Sequence, residues 1–135
     1  MKHIDEFKVY YADTDAYGVV WHGTYLRWME AGRIEYTTDV MGLNLKNLQE
    51  NGIVLPVVEL NIKYKRSAKA YDNIVLETEV EEIKKSFIKF KQVLKNKESD
   101  SVYIIAEVTC VAVDSTTGKM IRQMPDYITN ACLKN

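Results

Sequence analysis

Apolar and polar positions along the 135 residues follow two rhythms. Near the start, Phe7-Lys-Val-Tyr-Tyr11 alternates and predicts a strand. Tyr25, Trp28, Met29, Gly32, Tyr36 and Val40 then recur at helical spacing. They predict a helix from about Thr24 to Met41, with Thr24 as N-cap and Gly42 as the stop. A glycine in mid-helix costs about 1 kcal/mol relative to alanine. Gly32 therefore makes sense where the helix lies very close to a sheet. One further helical turn is expected at Leu45–Gln49. Beyond it the period becomes two. Val58, Leu60, Ile62 and Tyr64 form one alternating set, Ile74, Leu76, Thr78 and Val80 a second, and Ile88, Phe90, Gln92 and Leu94 a third. Val102 to Val113 is long and rich in β-branched residues, which predicts a strand central in the sheet. Asp114–Gly118 reads as a turn, and Pro125 opens a terminal helix over Asp126–Leu133. One strand, one long one-sided helix and four or more antiparallel strands imply a sheet that wraps the helix. This is an α+β arrangement, a single domain over residues 1–135.

Composition narrows the function more than the fold. Hydrophobic residues are 47% and charged residues 27%, the balance of an ordinary folded domain. A formal net charge of −1 gives no excess of positive charge to hold a nucleic-acid backbone. No apolar run approaches the roughly 18 residues of a membrane span. Met1–Phe7 lacks the apolar segment of an export signal, so a cytoplasmic location is expected. Cys110 and Cys132 are then expected to be reduced, small buried side chains. With His3 and His22 they lack the paired close spacings of a zinc site, so no metal is expected. The near-zero charge also conceals an asymmetry. Residues 1–62 carry 5 basic and 9 acidic side chains, and residues 63–135 carry 13 and 10. Lys84, Lys85, Lys89, Lys91, Lys95 and Lys97 follow one another with no acid between them, and Lys63, Lys65, Arg66 and Lys69 form a second group. Such lysines either line a solvated strand face and deter edge pairing, or receive phosphates.

Dinucleotide and P-loop glycine motifs and the Gly-x-Ser-x-Gly elbow are absent. The densest polar cluster is Asp13-Thr14-Asp15, leading through Gly18 to Trp21-His22-Gly23-Thr24 at the predicted helix start. A helix N-terminus offers unpaired N–H groups and partial positive charge, suited to a carbonyl oxygen gaining negative charge. An ionised aspartate nearby attacks the carbonyl carbon or deprotonates a water. The same residues also compose an ordinary Asx-turn loop. Pattern alone leaves both readings open.

The stretch Tyr11 to Tyr36, with Asp13-x-Asp15-x-x-Gly18-Val-Val-Trp21-His22-x-x-Tyr25, resembles the signature of hotdog-fold acyl-CoA thioesterases. The particular group is that of 4-hydroxybenzoyl-CoA thioesterase and the Tol–Pal-associated acyl-CoA thioesterases. Ile53–Val58 and Lys84–Phe87 extend the likeness, and the expected hotdog, a sheet around one long helix, agrees with the element order above. The resemblance implies Asp15 as the catalytic carboxylate, either nucleophile or general base. It places His22 where a backbone N–H polarises the thioester carbonyl, with the imidazole a weaker candidate. Asp13 matches a frequently acidic position of less certain role. Tyr17, Gly18, Trp21, Gly23 and Tyr25 are implied to contact substrate, and Lys84, Lys85 and Ser86 to touch the CoA nucleotide. Glu30, Arg33 and Glu35 match a helix pattern of the Tol–Pal type. A Glu30–Arg33 ion pair at i, i+3 is the plainer role, and Glu30 is a minor rival as base. Thr24 and the large Tyr17 depart from the usual pattern, and Tyr17 beside Trp21 bears on acyl-pocket size.

The implied activity is hydrolysis of an acyl-CoA, or of an acyl-carrier-protein thioester, with no cofactor beyond the CoA of the substrate. A homodimer or homotetramer is implied, with the channel at a subunit interface. Two other functions use the same pocket. One is a non-catalytic acyl-CoA or acyl-carrier-protein binding module. The other is a hydratase or dehydratase, which ranks last because His22 lacks the neighbouring proline that those enzymes usually carry.

Overall fold

The computed structural model describes residues 2–133. Strand β1 spans His3–Lys8, and a single 3-10 turn follows at Tyr11–Asp13. Helix α1 is His22–Asp39 and α2 is Leu45–Glu50. Strands β2 (Ile53–Val54), β3 (Val57–Tyr64), β4 (Asn73–Ile83), β5 (Ile88–Asn96), β6 (Val102–Cys110) and β7 (Val113–Asp114) precede helix α3, Asp126–Leu133. Five strands form one antiparallel sheet in the order β1-β4-β5-β6-β3. β2 and β7 pair separately.

The alternation of β4 and β5 puts Ile74, Leu76, Thr78, Ile88, Phe90, Gln92 and Leu94 on the buried face. Tyr25, Met29, Gly32 and Tyr36 are the stripe of α1 that meets that face. A Cβ added at Gly32 would stand 2.6 Å from Leu76 Cδ2 and 3.1 Å from Thr78 Oγ1, so the helix touches the sheet where only hydrogen fits. Beneath this contact lies a saturated polar knot. The buried Gln92 amide donates to Met29 O (2.8 Å) and Thr78 Oγ1 (3.0 Å), and its oxygen accepts from Arg33 Nη1 (3.0 Å). Complete pairing is what lets such groups sit in a core.

Several local expectations are corrected. The first strand is His3–Lys8, not Phe7–Tyr11. It was hidden because its polarity is inverted: Ile4 is 55% exposed while His3, Asp5 and Phe7 face inward. α1 begins at His22, and Trp21 precedes it without a side-chain cap. Thr24 donates its hydroxyl to Asp13 O (3.2 Å) instead of capping the helix. Val102–Val113 breaks at Cys110 because Val111 N turns to Pro56 O and Val113 joins the small sheet. β6 is interior, yet β5 holds the centre. The proposed i, i+3 pair fails: Arg33 turns inward to Gln92, and among the described residues no ion pair joins it to Glu30.

Candidate active site

The loop between β1 and α1 is built by backbone geometry. Asp15 N donates to Val19 O (2.8 Å) and Gly18 N to Asp15 O (3.0 Å), with a bridge between Thr14 and Val20. Asp15, Ala16, Tyr17 and Gly18 therefore form the tip of a small hairpin. Gly18 has φ of 79°, the left-handed region where glycine carries no steric cost. Asp15 Oδ1 accepts Tyr17 N at 2.8 Å, an Asx-turn that fixes the carboxylate from one side. The Asx-turn reading of the sequence holds here, and the same turn fixes the orientation of the acid.

Two aspartates on this loop have opposite surroundings. Asp13 is buried, its Oδ2 accepts Tyr10 N (2.9 Å), its Oδ1 faces Arg27 Nη2 (3.3 Å), and its carbonyl accepts Trp21 N (3.0 Å). It ties the hairpin to the helix start. Asp15 is half-buried and lines a cavity of about 430 Å³ with Val19, Val20, His22, Tyr25, Tyr64 and the Lys65–Ser67 segment. The far wall is fixed by the β3–β4 connection. Val20 N donates to Ala68 O (2.8 Å), and Ala68 N donates to the Tyr25 hydroxyl (2.9 Å). Burial pushes the Tyr25 phenol above its ordinary pKa, so it stays neutral and serves as an anchor.

His22 and Gly23 are the first residues of α1, so their N–H groups precede any intrahelical acceptor. His22 lines the same cavity as Asp15, and its ring lies 6.2 Å from that of Tyr64. A Cβ at Gly23 would run into the Trp21 indole, so this glycine lets the ring fold back over the helix start. An acid and a helix N-terminus thus share one cavity.

Tyr17, Gly18, Trp21, Gly23, Lys84, Lys85 and Ser86 are not among the residues lining the Asp15 cavity. Tyr17 is 90% exposed at the hairpin tip, and Trp21 is also exposed. Lys84, Lys85 and Ser86 form the β4–β5 turn, where Lys84 N donates to Phe87 O. Lys84 and Lys85 border a separate cavity of about 400 Å³ beside α3. The cations on the Asp15 cavity are Lys65 and Arg66. They belong to the second basic group in the sequence, whose signal was its place directly after the last apolar residue of β3. Tyr64 and Ser67 complete that wall; the alternation marked Tyr64 only as a strand residue, and nothing in the pattern marked Ser67. Cys110 and Cys132 are free and buried. Burial pushes both thiols up, that of Cys132 to about 11, so neither is a ready nucleophile.

An antiparallel sheet wrapped around one long helix is the hotdog fold, and here an acid-bearing loop leads into the helix start. The chain belongs to the Thioesterase-like superfamily, which matches residues 9–131. The acyl-CoA thioesterase YbgC of Haemophilus influenzae is 38% identical over 104 residues, covering 77% of this chain and 76% of that protein. The acyl-CoA thioester hydrolase YbgC of Escherichia coli O157:H7 is 30% identical over 107 residues, covering 79% and 78%. Among solved structures, a DHNA-CoA thioesterase from Staphylococcus aureus superposes with a TM-score of 0.88 at 29% identity, covering 98% of this chain and 89% of that one. A 1,4-dihydroxy-2-naphthoyl-CoA thioesterase from Synechocystis shares the fold, with a TM-score of 0.87 at 21% identity over 98% and 96%.

Proposed function

We propose that this protein hydrolyses the thioester of an acyl-CoA, with Asp15 as the reacting carboxylate. The observation that carries this is the shared cavity of Asp15 and the first turn of α1. The thioester oxygen accepts from the free N–H groups of that turn, which favour the charge that develops on it. Asp15 either attacks the carbonyl carbon or takes a proton from a water that does so. The C–S bond breaks, the CoA thiolate leaves and is protonated, and water supplies the oxygen of the product acid. These steps ask for no cofactor beyond the CoA of the substrate.

Lys65 and Arg66 are the cations nearest this cavity and suit the CoA phosphates. Lys84, Lys85 and Ser86 are the rival phosphate site. Charge removal at each group separately ranks them by the rise in KM for acyl-CoA against a short thioester without phosphates. Acyl-carrier-protein thioesters are the alternative substrate form.

The working unit is a homodimer, alone or paired into a tetramer. β3 is an edge strand of eight residues on which Val57, Val58, Leu60 and Tyr64 are exposed. Leu26 and Ile34 of α1 are exposed as well. A long apolar edge is a pairing template, and a second copy covers it. Tyr64 ends β3 and lines the Asp15 cavity, so pairing there sets the site against the partner subunit. Leu60→Lys should shift sedimentation to monomer and lower turnover. A fully active monomer contradicts the arrangement.

The test is thiol release from a panel running from acetyl- to palmitoyl-CoA, with aromatic acyl-CoAs and an acyl-carrier-protein thioester. Turnover of at least one member that Asp15→Asn abolishes is expected. Tight acyl-CoA binding with no thiol release would instead identify a binding module. Hydration of an enoyl thioester would identify a hydratase.

A further inference from the structure

We propose that the inner face of β1 and the second half of α1 form a site for one divalent transition-metal ion of the zinc class, held by His3, Asp5 and Glu35. These residues have no place in the thioester chemistry. Glu35 lies thirteen residues beyond His22 along α1, about 20 Å at 1.5 Å per residue.

The strand and helix periods assemble the donors. His3 and Asp5 share one face of β1, opposite Thr78 and Leu76 of β4. Glu35 and Asp39 are i, i+4 on α1 and so share a helix face. One oxygen or nitrogen from each of His3, Asp5 and Glu35 lies within 4.8 Å of the others. An imidazole with two carboxylates suits a borderline divalent ion such as zinc.

Three details point to a cation and not merely to crowded acids. His3 Nδ1 and Asp5 Oδ2 are buried and neither has a hydrogen-bond partner. They stand 3.4 Å apart. That is long for a hydrogen bond, but tetrahedral ligands at about 2.1 Å from zinc are themselves about 3.4 Å apart. The other ring nitrogen, Nε2, lies 3.1 Å from Asp39 Oδ2. When Nε2–H donates to Asp39, a neutral ring turns its Nδ1 lone pair to Asp5, so that either a proton or a metal ion lies between the two, and the metal titration below tells them apart. A carboxylate behind the ring is also the usual outer partner of a metal-bound histidine. Glu35 is exposed, which leaves an entry path and a position for water. A neighbouring cavity of about 310 Å³, lined by Asp5, Trp28, Gly32 and Glu35 among others, gives the ligands room to adjust.

The experiment uses chelator-treated full-length protein near pH 7.5. Zinc should raise the Tm saturably at one equivalent, and cobalt should give a visible ligand-field band with no thiolate charge-transfer band. His3→Gln and Glu35→Gln should each lose both signals while keeping the metal-free circular dichroism spectrum. Asp39→Asn, which leaves the three ligands in place, should weaken binding about 10–100-fold. The proposal is overturned if wild-type protein takes up no stoichiometric ion, if both ligand variants bind as wild type does, or if cobalt shows thiolate ligation.

Discussion

At its first turn α1 meets one carboxylate across an open cavity, and in its second half its own Glu35 stands against Asp5 and His3 of β1. The side-chain types are nearly the same, but the surroundings differ. Asp15 accepts the Tyr17 N–H and lines an open cavity together with the first residue of the helix, whose N-terminus carries partial positive charge. Asp5 and Glu35 crowd each other, and the Glu35 carboxyl is pushed up to about 7, first by its hydrogen bond with Asp5 and then by burial. A carboxylate with space and a nearby positive dipole stays available to a ligand, as the proposed role of Asp15 requires. Two carboxylates held against each other share a proton or a cation. Asp13 is a third case, an acid consumed by structure.

The contrast breaks most sharply at Asp15. Asn at this position still offers an oxygen to Tyr17 N, so the turn survives while the base or nucleophile is lost. Asp15→Asn should lower kcat by at least about 100-fold, the low end for a general base, with Tm unchanged in thermal unfolding. His22→Ala, by comparison, should stay clear of a loss of about 100-fold, because the backbone N–H remains. Equal losses at both positions would return the imidazole to the mechanism.

Asp13→Ala should show the reverse signature. It leaves Tyr10 N without its acceptor and Arg27 without its partner. The buried hydrogen bond from Tyr10 N to the charged Asp13 contributes about 1.5–3 kcal/mol and the exposed Arg27 pair adds little, so denaturant unfolding should register a loss of that order. Tyr25→Phe tests the other side of the cavity. It removes the acceptor of the buried Ala68 N–H, at a cost of about 1–3 kcal/mol. In both variants activity should fall no further than the misplacement of the loop requires.

Between the two ends, Gly32→Ala measures how firmly the helix is pressed on the sheet. The added methyl meets the flexible end of Leu76, but also Thr78 and the Gln92 amide, whose partners are all taken. Overpacking of this kind costs about 1–3 kcal/mol. A neutral result would mean that Leu76 swings aside and the knot is untouched.

The two ends were unequally legible in the sequence. The middle strands, α1 and α3 follow from periodicity because their buried faces are mostly apolar, Thr78 and Gln92 aside, and because Gly42 and Pro125 stand near their ends. The acid loop was legible because its chemistry lies in one short string, Asp13 to Tyr25. β1 was not, because its inward residues include His3 and Asp5 and its outward Ile4 reads as core. A strand that breaks the inside-outside rule is a place to look for a site. The cavity wall at Lys65–Ser67 was marked only as part of a basic run, because its approach to Asp15 is made by long-range bonds through Ala68. The inward turn of Arg33 depends on Gln92, 59 positions away, which no helix pattern encodes.

The smallest expected effect concerns protons at the crowded end. Glu35 has its folded pKa raised from 4.5 to about 7, with Asp5 as the main cause, Asp39 adding to it and His3 opposing it. The fold therefore holds this proton more tightly than the unfolded chain does. The resulting stability is fully present below pH 4.5 and is lost as pH rises through about 7. Glu77 has the opposite sign. Lys95 beside it holds its carboxyl below the ordinary value, so its contribution is lost only as pH falls below 4.5. The window from 4.5 to 7 thus isolates Glu35 from Glu77. In metal-free buffer, Tm measured across that window should decline less with pH in Glu35→Gln than in wild type. Parallel profiles would mean that the two carboxyls do not share a proton. The comparison between one spacious acid and two crowded ones would then reduce to geometry alone.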